Sequence, residues 1–391
     1  MSTSQTIFAG VAVYMLLMVA VGLYAAKRTH SPAEFIVAGR RLPLWLLSTT
    51  IIATWFGGGM MIGGAGASYD EGFFGVIADP FGGALALLLL GLFFVRLFRR
   101  LKLLTFVDFV EQRFGITAGL VATAGSLMSN VMWVSSMLVA FGVVFESLTG
   151  VPLTIGIVGG AVVVILYTTM GGMLAVALTD FVQVVVMIVG LVVLLVLALV
   201  AAGGWGNVAA QLPEHTFRMY PLPGASGEVW LNYLRAIVIV GVADIASQTL
   251  IGRAMAARSE KVAVRAFYVG AVGYLALGLV PVMLGIIGSV TMPGLANSEA
   301  IIPALAIEHL HPVMLAIFVG AVLAAIMSSS DSALLAAASL ISTNILPRFV
   351  KSPSDELQLR VARWAIPVCG ALTIVIALNA QVVFDTMLDS N

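Results

Sequence analysis

Between Ala321 and Asn344 the chain reads AVLAAIMSSSDSALLAAASLISTN, an apolar run with hydroxyls and one carboxylate at its middle. Helical spacing puts Ala325, Ser328, Ser329 and Ser332 on one face, at i, i+3, i+4 and i+7, with Asp331 on its flank. Such groups are expensive inside lipid, so they are expected to face something that uses them, and a small hard cation fits. The plainer alternative is that Ser328 and Ser329 bond back to carbonyls of the preceding turn. Two further acids, Asp180 and Asp244, also interrupt apolar sequence. Each of the three costs about 2.5–3.5 kcal/mol at a bilayer centre, so together they cost about 8–10 kcal/mol. Asp180 suits an ion path, or simply the first turn of a helix after Thr179. Asp331 suits a cation or a structural hydrogen bond. Asp244 suits a counter-charge for a cationic solute, or a pair with a neighbouring basic residue.

The aromatic and soft ligands divide more simply. Trp55 precedes a run of three glycines and is a candidate for solute contact, while Trp133 reads equally as solute contact or core. Trp45, Trp230 and Trp364 fall near segment ends, where interfacial anchoring is expected. The four histidines have no paired ligand spacing, and Cys369 is the single cysteine, so no thiolate metal site or disulfide framework is expected.

Apolar residues make up 61% of the chain and charged residues 10%, and mean hydropathy is +1.09. A soluble domain carries about 25% charge, so the composition predicts an all-α polytopic membrane protein. Ten apolar segments are expected, at about 7–26, 44–68, 74–97, 117–146, 151–170, 173–201, 229–252, 263–291, 311–346 and 362–380. If they alternate across a bilayer, 17 of the 19 Lys and Arg fall on one side, in 27–41, 96–113, 253–265 and 348–363. The positive-inside rule then puts those regions in the cytoplasm and the N-terminus outside. The opening MSTSQT lacks a basic region, so residues 7–26 read as a retained helix and not a cleaved signal. Gly171 and Gly172 read as a tight cytoplasmic turn. Residues 203–228, with a short surface helix, and 293–310 read as external loops. No linker, low-complexity run or soluble domain interrupts this single membrane unit, 1–391.

Two segments are broken. One carries Gly57-Gly58-Gly59 after Ala53-Thr54-Trp55-Phe56; the other carries Gly241, Asp244, Ser247, Gln248 and Gly252. Breaks at matching places in two halves point to a mid-membrane binding site, whereas glycine also serves close helix packing. The count gives two inverted repeats of five helices, at about 44–201 and from 229 onward, after one extra N-terminal helix.

Three stretches carry a resemblance: Tyr167–Gln183 (YTTMGGMLAVALTDFVQ), Gly320–Asn344 with its Ala-Ala-x-Met-Ser pattern, and Phe35–Arg40 (FIVAGR). Together they resemble the sodium:solute symporter family over about residues 7–380. The resemblance implies an inverted-repeat symporter fold. It also implies a sodium site from the carbonyls of Ala53, Phe56 and Ala325 and the hydroxyls of Ser328 and Ser329. It implies further a second sodium set around Asp180, Ser328, Asp331 and Ser332. Within the family, ATWFGGG at Ala53–Gly59 and MSSSDS at Met327–Ser332 look like the high-affinity choline transporter branch, as does Trp133 in NVMWVSS. Two tryptophans would hold a quaternary ammonium by cation–π contact, worth about 2 kcal/mol when desolvated. Ser247, beside Gln248, stands where that branch has a third tryptophan, which leaves another cation or a zwitterion open beside choline.

The resemblance therefore implies a sodium-coupled secondary transporter importing a small organic solute through the cell membrane. Its partners are sodium ions, the solute and the lipid bilayer, with no nucleic acid. Proton coupling through Asp180 is a variant, and a ligand-sensing membrane domain is the alternative. An enzyme is not expected, because no nucleophile–base pair stands out. The family's tenth core helix is expected to begin near residue 381, so the second repeat reads as short.

Overall fold

The computed structural model describes residues 3–389; the side chains of residues 3–4, 147–148, 243–244 and 381–389 lie outside the description. Among the described residues the chain is helical throughout, apart from loops and one isolated bridge between Leu42 and Ala257. The helices are α1 (Thr3–Ala26), α2 (Leu44–Trp55), α3 (Gly59–Glu71), α4 (Ile77–Leu101), α5 (Ile116–Thr149) and α6 (Leu153–Ala201). They continue as α7 (Gly227–Gly241), α8 (Gln248–Ala256), α9 (Glu260–Thr291), α10 (Pro312–Leu340) and α11 (Asp355–Asp389).

Among the described residues seven helices are long and apolar enough to cross a membrane, eight if the bent α2–α3 pair is one span, and three elements relate this to the ten expected segments. α6 has 49 residues, about 74 Å of helix against a hydrocarbon core of about 30 Å, so it cannot be one span. It is interrupted at Gly172, with φ +55° and ψ −143°. Residues before and after that point pass the same helix: Tyr167 and Gly171 lie against Gly22 and Ala25 of α1, and Gln183 hydrogen-bonds Tyr14 of α1. The chain therefore reverses at the Gly171–Gly172 turn. α2 and α3 form one span bent by 64° at their junction. α7 and α8 follow one another through a short 3-10 turn at Ala243–Ala246, where the second broken segment was expected. The helix that starts at Asp355 continues to Asp389, through the position where a tenth core helix was expected to begin.

α10 is the centre of the bundle. Every residue from Phe318 to Leu340 is buried, and the helix packs mainly on α6 and α5. A helix that is apolar or small on all sides has no face to give to lipid, so it is surrounded. α1 is the opposite case, burying one stripe, Ile7, Val11, Tyr14, Met18, Gly22 and Ala25, mainly against α6.

The connections sort to two ends. At one, Arg40 donates to the carbonyl of Lys102 at 3.0 Å, Arg99 to that of Met255 at 2.9 Å, and Arg363 to that of Thr29 at 2.9 Å. Arg348 pairs there with Glu111, and Arg100 with Glu260. The four basic regions thus meet at a single end. At the other end Tyr69 donates to the carbonyl of Met292 at 2.7 Å, and Phe73 N–H to that of Thr216 at 2.8 Å. Residues 203–228 carry a short helix there at Trp205–Ala209, and 293–310 carry another at Ile301–His309. One basic residue departs from the loop assignment: Arg253 is 1% exposed, inside the bundle.

Candidate functional site

The α2 break exposes backbone acceptors to α10. In an unbroken helix the N–H of Gly57 would bond the carbonyl of Ala53; here it turns to the carbonyl of Trp55, at 2.8 Å. Phe56 leaves helical geometry at φ −74°, ψ 77°. The released Ala53 carbonyl is met by Ser328 of α10, whose Oγ donates to it at 2.7 Å. The same face carries Ser329, whose Oγ lies 3.4 Å from the carbonyl of Ala325. Ser328 Oγ is 3.5 Å from that carbonyl too. Gly57 sits directly under Ser329: a Cβ there would lie 2.6 Å from its hydroxyl. Two carbonyls and two hydroxyls, all buried, thus converge where α2 and α10 cross. These are neutral oxygen donors of the kind hard cations take. Among the described residues no three His, Cys, Asp or Glu converge as a metal site.

The set around Asp180 and Asp331 is arranged differently from its expectation. Asp180 lies about two turns beyond Gly172 on the second arm of α6, not in a first helical turn, and is fully buried. Thr50 of α2 donates to it. Asp331 accepts from the Tyr167 hydroxyl at 2.6 Å and from Ser332 Oγ at 3.1 Å. Between the two acids reaches Arg253 of α8. Its Nη2 lies 3.8 Å from Asp180 Oδ2 and donates to Ser332 Oγ, and its Nη1 donates to the Thr249 carbonyl at 3.3 Å. Arg253 had counted only as a loop charge. An arginine at the end of an apolar run reads as a boundary, and nothing near it in sequence reveals the acid it will meet.

Beside the oxygen set lies a cavity of about 570 Å³. Trp55, Trp133 and Ser247 line it, and so does Ser329, which belongs to both features. Trp55 packs edge-on against Tyr274, with ring centroids 6.2 Å apart, and Trp133 is 47% exposed. Among the lining residues not singled out from sequence, two form a pair in the wall. Asp79 of α4 is half-buried in the wall, and the Tyr274 hydroxyl of α9 donates to it at 2.6 Å. The signal was available: Asp79-Pro80 is an acid and a helix breaker inside an apolar run, and Asp79 leaves helical geometry at φ −147°, ψ 121°.

Gln248 does not reach this cavity. Its carboxamide accepts from the Phe106 N–H at 2.7 Å and donates to Ser339 Oγ at 3.3 Å. The side chain of Asp244 lies outside the described residues.

Known proteins give this geometry a context. The sodium:solute symporter family model matches residues 35–387. The high affinity choline transporter 1 of Homo sapiens is 31% identical over 398 residues, covering 95% of this chain and 67% of that protein. The osmoregulated proline transporter OpuE of Bacillus subtilis (strain 168) is 28% identical over 406 residues, covering 99% of this chain and 80% of that one. The chain spans 62% of the length of the Drosophila melanogaster choline transporter and 68% of that from Torpedo marmorata. In fold it is similar to a Na+-coupled sialic acid symporter solved in a substrate-bound outward-open state, with a TM-score of 0.85 at 21% identity, covering 96% of this chain and 82% of that one. These relatives are named as transporters and not as enzymes; the chain belongs to the sodium:solute symporter family, whose members move a solute together with sodium.

Proposed function

We propose that this chain imports a small organic solute bearing an ammonium group, driven by sodium, through a site shared between two inverted repeats at about 44–201 and from 229 onward. One sodium is held by the carbonyls of Ala53, Phe56 and Ala325 and the hydroxyls of Ser328 and Ser329. The observation that carries this reading is the Ser328 hydroxyl lying 2.7 Å from the Ala53 carbonyl, at the break where that carbonyl loses its own helical hydrogen bond. Sodium there bridges the broken helix to the central helix. It therefore favours whichever conformation keeps α2 and α10 together, and coupling follows from that difference in affinity.

The solute binds in the adjoining cavity. Trp55 and Trp133 supply π faces for an ammonium group and Asp79 supplies a negative charge, while Ser247 and Tyr274 supply hydroxyls. The human choline transporter and the bacterial proline transporter both name solutes with a positively charged nitrogen, which supports that class. The meeting of the four basic regions at one end supports a cytoplasmic assignment for that end and an external N-terminus.

The test is uptake into proteoliposomes of labelled choline, proline and related amines. An inward sodium gradient should drive accumulation, an imposed pH gradient should not replace it, and Ser329→Ala should weaken the sodium dependence. Uptake indifferent both to sodium and to Ser329→Ala would sink the proposal.

A further inference from the structure

The cluster beneath the sodium site holds two carboxylates and one guanidinium, all sealed from solvent: Asp180 and Asp331 at 0% exposure and Arg253 at 1%. Arginine keeps its charge in proteins, and burying a charge is tolerated only where it is paired and hydrogen-bonded. Here the hydrogen bonds and ion pair of Arg253 run to the α6–α10 seam or to its own helix, while its buried Nε has no hydrogen-bond partner. Nη2 faces Asp180 at 3.8 Å and donates to Ser332, and Nη1 caps the Thr249 carbonyl. The single hydroxyl proton of Ser332 has two acceptors in reach, Asp331 Oδ1 at 3.1 Å and the Ser328 carbonyl at 2.8 Å. Asp180, Asp331 and Ser332 are thus the residues that would hold a second sodium, and a guanidinium already lies among them. Sodium placed there would sit against a fixed like charge, so the residues present do not fit a second ion.

We propose that Arg253 is a tethered cation that takes the place of a second sodium, so that the protein binds one sodium per chain. This rests on the sodium site proposed above. Charge balance supports it. With both acids ionised, two carboxylates against one guanidinium would leave the buried cluster one negative charge in excess, which a single sodium at Ser328 and Ser329 would neutralise. Arg253 comes from α8, so this positive charge moves with the protein and never leaves it. The gradient energy available per cycle is then that of one ion. With the membrane potential held at zero, a tenfold sodium gradient would support about tenfold solute accumulation, against about a hundredfold for two ions.

The experiment needs no solute. The purified full chain, reconstituted in nanodiscs, is titrated with radioactive sodium alone in a scintillation-proximity assay, and the ions bound per chain are counted. One ion with a Hill coefficient of about 1 is expected for the native protein and for Arg253→Lys, which keeps a cation in place. Arg253→Met, which uncovers the two acids, should bind two. The double variant Asp180→Asn/Arg253→Met, which removes one charge of each sign, should return to one. Two ions bound by the native protein would overturn the inference whatever the variants do, so it survives poor folding of any of them. An unchanged single ion in a folded Arg253→Met protein would also overturn it. A native protein that binds no sodium would overturn the proposed function as well, which separates the two failures.

Discussion

Replacing Gly57 by alanine tests the sodium site without replacing any proposed ligand. The added Cβ would lie 2.6 Å from Ser329 Oγ but 3.4 Å from Ser329 Cβ and 3.8 Å from the Ala325 carbonyl. Only the hydroxyl is in the way, so it must rotate out of the site while the backbone stays. Gly57 is not among the positive-φ glycines, so alanine brings no backbone strain of its own. A lost polar contact to a charged partner costs about 1.5–3 kcal/mol, or about 10- to 150-fold in affinity. Gly57→Ala should therefore raise the sodium concentration for half-maximal uptake by at least about tenfold, and Ser329→Ala by a similar factor. The two should not add. With no hydroxyl at 329 the new methyl meets nothing closer than ordinary contact, so the double variant should match Ser329→Ala within about 0.5 kcal/mol. The assay is initial uptake by proteoliposomes across a sodium series, checked by the thermal shift that sodium gives the solute-free protein. Additive effects, or an unchanged sodium dependence in Gly57→Ala, would refute the reasoning that joins α2 to Ser329.

Two further predictions concern other parts of the molecule. Asp79→Asn keeps an acceptor for Tyr274 but removes the cavity's charge, so the half-saturating concentration of a cationic solute should rise about tenfold while that of sodium stays near its native value; a matched change in both would reassign Asp79 to the ion path. Gly172→Ala forces an L side chain into φ +55° with its Cβ 2.4 Å from the Phe35 carbonyl, so it should cost more than the about 1–3 kcal/mol of backbone strain alone, read as a lower melting temperature and lower yield in detergent; native-like stability would mean that the turn relaxes freely.

Much of this architecture was legible because lipid imposes simple rules. Uninterrupted apolar length marks the crossings, and paired glycines mark the reversal at Gly172. The three glycines after Phe56 mark a helix that stops bonding to itself. The serine face of α10 was readable for the same reason, since hydroxyls at 328, 329 and 332 share one side of any helix. Other features were hidden because they depend on two distant segments. Arg253 looks like a loop charge until Asp180 closes on it from α6. Asp79 shows in the sequence only as an acid beside a proline, and its place in the cavity wall depends on Tyr274 of α9. Gln248 has the chemistry of a solute ligand but is claimed by the Phe106 N–H and Ser339. Periodicity reports which face of a helix a residue occupies, not which neighbour that face will meet.

Ser329 is a single side chain with one hydroxyl, set in the wall between the oxygen cluster and the cavity. Sharing it makes the two binding events thermodynamically reciprocal. Whatever factor a solute applies to sodium affinity through this hydroxyl, sodium must apply to that solute's affinity in return. A solute that leaves the sodium titration unmoved is then a poor cargo however tightly it binds. The sodium curve of the purified protein, repeated with each candidate solute, ranks them by coupling and not by occupancy.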